Sequence, residues 1–465
     1  MKESVSRSHV LRPVDRLLNV LDDDRDFAGR AVTLARAPGR LDVMGGIADY
    51  TGSRVCQWPL REAAAAAVAR RDDGAIVATS AGYEAAVDVS VSSLDETDPA
   101  TVRDAVEGRQ RWARYPIGCA WWLLRQCGHR GGWTVRLDSD VPAGAGVSSS
   151  AAIEVATMHA LCGLERIEIE PMVLAAACQY VENHVVGAPC GVMDQATAVA
   201  GCESRLLELL CQPDEQGMPA RMLGHVPVPS GYRFVGIDSG VTHEVSGDPY
   251  TDTRIAAFMG ARILGALKAP GADAGWLARV DAAAYEAQFR ARLPVAMAGG
   301  EFIEAYGDTG DTVTRVDPAK QYSVRDATDH HVREMGRVTR FGDLLREAAA
   351  DAPIAHESLC EAGRLMLQSH ESYGRCAYLG HPLTDALVER VIDAGAEGGL
   401  FGARITGGGC GGTVAILMRD DADTFERVRR IQHEYERESG RRTRLFDRSG
   451  PGALAWGMHR MEARS

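Results

Sequence analysis

Apolar positions recur at helical spacing near the start of the chain, where Val10, Leu11, Val14, Leu17, Leu18 and Leu21 predict a polar-faced helix within residues 1–28. The period then changes. Val32 and Leu34 alternate with Thr33 and Ala35, which predicts a strand over residues 31–37, and a second alternating strand is expected over residues 133–138. Residues 147–164 predict a helix that is apolar almost all round (Ile153, Val155, Met158, Leu161, Cys162) and is therefore buried. Pro171 opens a further helix at a favourable first position, and Gly187 closes it. The alanine run over residues 63–67 fits buried sheet or helix packing. Residues 233–238 read as a strand beginning a second domain, residues 270–275 as a loop, residues 281–396 as mainly helical, and residues 412–418 as an apolar strand. The expected division is 1–225 and 226–465.

With 465 residues the chain accommodates two or three domains of about 150 residues each. Its length can bury a large core without disulfides or structural metals. A net charge of −13 argues against nucleic acid or an anionic membrane as the main partner, but leaves room for a local anion site. The 11 cysteines are dispersed, with no C-x-x-C pair, as in a cytosolic protein with reduced thiols. The first twenty residues carry charges throughout and show no signal-peptide pattern. No apolar run approaches the span of about 18 residues needed to cross a bilayer. A cytoplasmic protein is expected, a monomer or weak homo-oligomer.

Four segments carry candidate chemistry. In Val141-Pro-Ala-Gly-Ala-Gly-Val-Ser-Ser-Ser-Ala-Ala152 a strand feeds a Gly–Ser loop that opens a helix. Free N–H groups and the positive end of the helix dipole then converge on one point, which suits phosphate. A serine-capped helix start reads equally well from the segment alone. The Gly-Lys-Ser/Thr ending of a Walker loop is missing. Thr406-Gly-Gly-Gly-Cys-Gly-Gly412 satisfies G-x-G-x-x-G but precedes a strand, so the dinucleotide reading fails its context; backbone packed tightly against a ligand or another loop, or else a flexible hairpin, remains. In Gly187-Ala-Pro-Cys-Gly-Val-Met-Asp-Gln195, Asp194 sits at an expected helix start, where it is either a base toward a hydroxyl or a first-turn carboxylate. In Arg36-Ala-Pro-Gly-Arg-Leu-Asp-Val-Met-Gly-Gly-Ile-Ala-Asp-Tyr-Thr-Gly52, Arg40 follows a Pro-Gly turn off a strand, and Asp49 and Tyr50 follow a double glycine. His330, His331 and Glu334 have a spacing that could ligate a metal, but no third ligand is evident; a surface or sugar-adjacent helix is the plainer reading. Cys190 reads as packing rather than nucleophile.

Together and in this order the four segments resemble the GHMP kinase family, from Arg36 to about Leu417. The resemblance implies an α+β, two-domain fold, with an N-terminal domain like domain 2 of ribosomal protein S5 and a ferredoxin-like C-terminal domain. ATP and a small-molecule acceptor meet between them. Ala-Pro-Gly-Arg40, Gly-x-Met-Asp-Gln195 and Trp112-Ala-x-Tyr115 look like the galactokinase branch. That resemblance implies roles. Asp194 acts as base or orienting group, and Arg40 stabilises the reacting oxygens. Pro142, Gly144, Gly146, Val147, Ser148, Ser149, Ser150 and Ala151 hold the triphosphate, with Gly407, Gly408 and Gly409 closing on it. Trp112 lies near adenine. Ser150 and Glu182, the latter twelve residues before Asp194, complete a magnesium site. Asp49, Gly191 and Tyr250 contact ring hydroxyls.

One departure is informative. Galactokinases have Gly-Glu-His-Thr-Asp-Tyr, whose Glu and His hydrogen-bond the sugar's 6-hydroxyl. Here Gly46 and Ile47 replace them, in a segment similar to that of L-arabinokinases, as is Tyr322-Ser-Val-Arg-Asp-Ala-Thr-Asp-His330. A pentose lacks the 6-hydroxyl, so a Glu there would be left unpaired, at a cost of about 1–3 kcal/mol. L-Arabinose is the expected acceptor, phosphorylated at its anomeric hydroxyl. A galactokinase with altered hexose specificity is the alternative, and a non-catalytic sugar sensor, which would have lost residues of the serine loop, is the third. Plant arabinokinases carry a further N-terminal domain; with only 35 residues before Arg36, the kinase part alone is expected.

Overall fold

The computed structural model describes residues 12–21, 23–95, 97–127, 131–213, 217–242, 248–272 and 275–462. Its strands in chain order are β1 (Val32–Met44), β2 (Arg54–Arg71), β3 (Ala75–Ser80), β4 (Val87–Ser90), β5 (Gly132–Ser139), β6 (Arg205–Leu210), β7 (Arg221–Pro227) and β8 (Tyr232–Asp238). They continue with β9 (Met297–Ala298), β10 (Gln321–Tyr322), β11 (Leu400–Ile405), β12 (Thr413–Arg419), β13 (Leu445–Phe446) and β14 (Met458–Met461). An eight-stranded sheet has the order β14-β1-β2-β5-β3-β4, with β6 on β2 and β7 on β6. A four-stranded antiparallel sheet has the order β11-β12-β8-β13, and β9 and β10 form a short ribbon. The last strand thus returns to the first sheet, where Met458–Met461 pairs with the start of β1.

The alanine run falls inside β2, and its small side chains explain how both faces of the sheet are covered. Ala64 and Ala66, with Ala35 and Ala37 of β1, face the Ser149–Glu165 helix through Ala152, Val155 and Ala156. Leu34, Ala65, Ala67 and Ala69 point the other way, onto Leu17 and Leu21 of the Pro13–Leu21 helix. Val10 and Leu11 of the expected first helix lie outside the described residues. The second sheet alternates in the same manner. Phe234, Ala415 and Leu417 join the large core, while Val235, Ile237, Val414 and Ile416 pack against Leu387, Val391, Val428 and Ile431 of the Pro382–Ala394 and Ala422–Ser439 helices.

Two expected elements end differently. The Pro-Gly pair does not turn the chain after residue 37: β1 continues to Met44, with register shifts between Pro38 and Arg40 and between Asp42 and Met44. Proline cannot donate to the ladder, and a bulge is where a strand accommodates it. The shift frees the Arg40 N–H to donate to Val147 O at 3.1 Å. The helix opened by Pro171 is α-helical only through Tyr180. It is N-capped by the Glu170 carboxylate, and then widens to a π-helical stretch, Val181–Val186, that ends at Gly187 with φ +85°. Such stretches recur at functional sites, and this one carries Glu182.

The two sheets are joined by a fully buried ion pair. Arg404 of β11 donates through Nη1 to Asp42 Oδ2 of β1 at 2.8 Å, and neither side chain is exposed. Asp42 Oδ1 also accepts from Gln57 Nε2 at 2.8 Å and from the Gly46 N–H at 3.1 Å. The Asp42 N–H donates to Thr406 Oγ1 at 2.6 Å. Removing one partner strands a buried charge, so Asp42→Ala is expected to lower stability by about 3–5 kcal/mol. The double variant Asp42→Ala/Arg404→Met should recover part of that loss in urea unfolding; equal losses in both would show that the pair's charge is not what matters.

Candidate active site

The serine loop between β5 and the Ser149–Glu165 helix is shaped by three left-handed residues, Gly144 (φ +74°), Gly146 (φ +71°) and Ser148 (φ +60°). Its carbonyls are engaged by the protein. Ala145 O accepts from Thr413 Oγ1 at 2.8 Å, Gly146 O from Arg40 Nη1 at 2.7 Å, and Val147 O from the Arg40 N–H. The helix's first-turn N–H groups are then the donors left for an anion. The second glycine loop, between β11 and β12, packs on the first. A Cβ at Gly407 would stand 2.9 Å from Gly146 O, and one at Gly412 would stand 2.9 Å from Ala145 O. Both residues have positive φ. The glycines are there because two backbones meet without room for side chains.

Arg40 and Asp194, 154 positions apart, form a two-pronged pair: Arg40 Nε reaches Asp194 Oδ1 at 2.8 Å, and Nη2 reaches Oδ2 at 2.9 Å. Asp194 stands in the first turn of the Met193–Ala200 helix, as expected. Ser148 Oγ donates to the same Oδ2 at 2.6 Å. Three donors therefore fill three of about four lone-pair sites of the carboxylate and leave one for a ligand.

Glu182 projects from the π-helical stretch beside Ser150, whose hydroxyl it accepts. Burial, with Asp194 nearby, pushes its carboxyl up to about 7, against the hydrogen bonds from Ser150, Cys190 and Gln195. Gln195 Nε2 donates to Glu182 Oε2 at 2.6 Å and reaches Glu154 Oε2 at 3.3 Å. Glu154, one turn after Ser150, is fully buried, and burial raises its carboxyl well above the ordinary range.

These groups surround a cavity of about 310 Å³. Arg40, Pro142, Gly144, Gly146, Val147, the three serines, Glu182, Gly407 and Gly408 line one part of it, and Trp112 stacks on Tyr83 at its edge, with ring centroids 4.9 Å apart. Ile47, Asp49, Cys190, Gly191, Asp194 and Tyr250 line the other part. Of the expected site residues, Gly46, Ala151 and Gly409 do not line it. Gly46 lies behind the wall, facing Tyr373 and Arg404, and Gly409 packs on Leu379. Asp49 is buried, and desolvation, followed by the Asp194 charge, pushes its carboxyl up to about 7. Burial also raises the Cys190 thiol, which lies 3.6 Å from Glu182 Oε2 and packs there.

The histidine pair is not on a surface. His331 Nδ1 lies 2.8 Å from Thr51 Oγ1 and its Nε2 3.3 Å from Tyr50 Oη, so it braces the Gly46–Thr51 turn from behind. His330 pairs with Ser372 Oγ at 2.8 Å. Burial pushes both imidazoles far below their usual range, which favours their neutral form. No three metal-ligating side chains gather among the described residues. Sequence reasoning gave no role to Tyr83, Glu154, Gln195 or Tyr373. Glu154 carried a signal, an acid in an all-apolar helix, and Gln195 adjoins Asp194; Tyr373 carried none.

Two family models match the chain: the GHMP kinases N-terminal domain over residues 114–202 and the GHMP kinases C-terminal domain over residues 336–437. An L-arabinokinase of Arabidopsis thaliana is 36% identical over 93% of this chain, which spans 47% of that protein, about half its length. A galactokinase of Streptomyces coelicolor is 33% identical over 82% of this chain and 83% of its own. The galactokinase of Lactococcus lactis, solved in complex with galactose, superposes with a TM-score of 0.68 at 20% identity, over 94% of this chain and 97% of that one. The chain belongs to the GHMP kinase family. Its relatives named above are kinases of the galactokinase and L-arabinokinase type, and the α+β architecture is theirs.

A carboxyl that titrates higher in the folded state than in the unfolded one stabilises the fold at low pH, and that stability is lost as pH rises through the folded value. For Asp49 the loss runs from about pH 4 to about 7, with a slope of up to about 1.4 kcal/mol per pH unit. Ligand-free Asp49→Asn should match the wild type below this window and exceed it in melting temperature above it. A constant offset across pH would contradict the assignment.

Proposed function

We propose that the chain is an ATP- and magnesium-dependent sugar kinase that phosphorylates the anomeric hydroxyl of L-arabinose to give L-arabinose 1-phosphate. The observation that carries the pentose reading is Ile47. It is buried in the cavity wall with Asp49 and Tyr250, and in this reading its hydrocarbon side chain meets the position at which a longer sugar would carry its extra hydroxyl. Of the two sequence relatives described, the Arabidopsis L-arabinokinase covers more of this chain, 93% against 82%.

In this reading the serine loop's amides and hydroxyls hold the triphosphate, Gly407 and Gly408 close over it, and Trp112 with Tyr83 flanks the adenine. Asp49, Gly191 and Tyr250 receive the ring hydroxyls. Asp194, held by Arg40 and Ser148, has one acceptor position free to orient the anomeric hydroxyl. Arg40 keeps N–H donors for the charge that builds on the transferred group. Positioning and charge neutralisation of this kind supply most of phosphoryl-transfer catalysis. The oxygen donors of Ser150 and Glu182 fit magnesium, a hard cation that keeps waters and nucleotide oxygens as its other ligands. When bound, the ion would neutralise phosphate charge. The halves 1–225 and 226–465 meet over the phosphoryl group.

A second reading, a galactokinase with altered hexose specificity, is favoured by the fuller span of the galactokinase relative. An apolar pocket rejects an added hydroxyl by only roughly 10²-fold, so galactose should be turned over slowly. A sensor without catalysis fits less well with an intact serine loop and an assembled Arg40–Asp194 pair. ATP consumption with magnesium, measured on L-arabinose, D-galactose, D-fucose and D-glucuronate, decides among these; preference for galactose would overturn the pentose reading. Asp194→Ala should abolish turnover while sparing ATP binding, and unchanged turnover would remove its assigned role.

A further inference from the structure

Tyr373, near the end of the Ala355–Arg375 helix, is fully buried, yet its hydroxyl is shared between two walls of the cavity. Tyr373 Oη accepts the Ile47 N–H at 2.8 Å and donates to Gly407 O at 2.9 Å. Ile47 belongs to the part of the cavity that holds Asp49 and Tyr250; Gly407 belongs to the loop that packs on Gly146. The Arg404 guanidinium lies 4.9 Å from the tyrosine ring centroid, so the ring is seated on the Asp42–Arg404 pair. Gly46 completes the arrangement. It has φ +47°, and a Cβ there would stand 1.9 Å from Tyr373 Oη and 2.9 Å from Arg404 Nη2. Residue 46 is glycine because the tyrosine hydroxyl occupies the space a side chain would need.

We propose that Tyr373 is a specificity-determining positioning residue: it fixes Ile47 against the sugar and ties that wall to the Gly407 loop over the phosphoryl group. The inference rests on the pentose-kinase reading for the direction of specificity, and on the observed hydrogen bonds for the residue. With both bonds made inside the protein, the hydroxyl is unavailable to a sugar. At residue 47 the wall then offers an exocyclic hydroxyl the apolar Ile47 side chain, and a buried hydroxyl without a partner is penalised. A wall free to recede would admit water or the longer sugar and lose that penalty.

The test is Tyr373→Phe, which keeps the ring over Arg404 and removes only the shared hydroxyl. KM and kcat are measured for L-arabinose and D-galactose on the same preparation, so that any loss of folded enzyme cancels in the ratio of the two kcat/KM values. The expected result is a KM for L-arabinose raised about 10-fold, with kcat changed less, and a sugar preference shifted by a similar factor. A preference equal to that of the wild type, with only the melting temperature lowered, would make Tyr373 merely structural and overturn the proposal. Should Tyr373→Phe fail to fold, Gly46→Ala displaces the same hydroxyl from the opposite side and must shift the preference likewise; an unchanged ratio there overturns it too. The wild type alone tests the pentose reading, since a galactose preference would sink that reading. The variant-to-wild-type comparison of preference still decides for or against Tyr373.

Discussion

The site is organised around a charge pair that no solvent reaches. Asp42 and Arg404 come from different sheets and are both completely buried. Taking two charges out of water is expensive, and their attraction compensates only when geometry is good and the remaining polar atoms are satisfied. On the aspartate side they are: Gln57, Gly46 and Arg404 all donate to the carboxylate. On the arginine side Nε and Nη2 have no hydrogen-bond partner among the described residues, and the guanidinium instead faces the Tyr373 ring. A pair of this kind is better suited to fixing one relative placement of the two sheets than to adding stability. Arg40, Ile47, Asp49, Gly407 and Gly408, all proposed to touch the sugar or the phosphates, hang from strands and turns within a few residues of it.

The two glycine loops follow from that placement. β1 delivers Arg40 two residues before Asp42, and β11 delivers Thr406 and Gly407 two and three residues after Arg404. Once the pair is formed, the loops are pressed together so closely that Gly407 and Gly412 have no space for a Cβ. Arg40 then bridges Gly146 O and Asp194, and a positive group is set at the floor of a cavity in a chain whose net charge is −13. Local geometry, not overall charge, makes the site receptive to an anion.

What the sequence revealed divides along the same line. Local features were legible, because strand alternation, the Gly–Ser loop and the Pro171 helix start depend on neighbours in the chain. The serine loop, Arg40, Asp194 and Glu182 were found through their motifs, and they do surround one cavity. The expected turn at Pro38-Gly39 was misread because a bulge and a turn share the same residues, and only the partner strand tells them apart. The π-helical widening around Glu182 has no clear sequence signature. Tyr373 was invisible for a different reason. Helical periodicity places it on a buried face, but its two hydrogen bonds reach 326 and 34 positions away, and such contacts are made by tertiary packing alone.

The same distinction bears on specificity. Ile47 identifies an apolar wall, but an apolar side chain by itself discriminates weakly against one added hydroxyl, by roughly 10²-fold. The discrimination depends on whether the wall holds its position when a larger sugar presses on it. Here the backbone behind Ile47 is held by the Tyr373 hydroxyl, the turn that contains it by His331 through Thr51, and Gly46 by Asp42. Each of those supports is buried, and removing any of them would leave an unpaired polar group in the interior. Displacing Ile47 therefore means breaking hydrogen bonds in a region closed to water. The selectivity of such a pocket resides as much in the rigidity of the support as in the residue that meets the ligand.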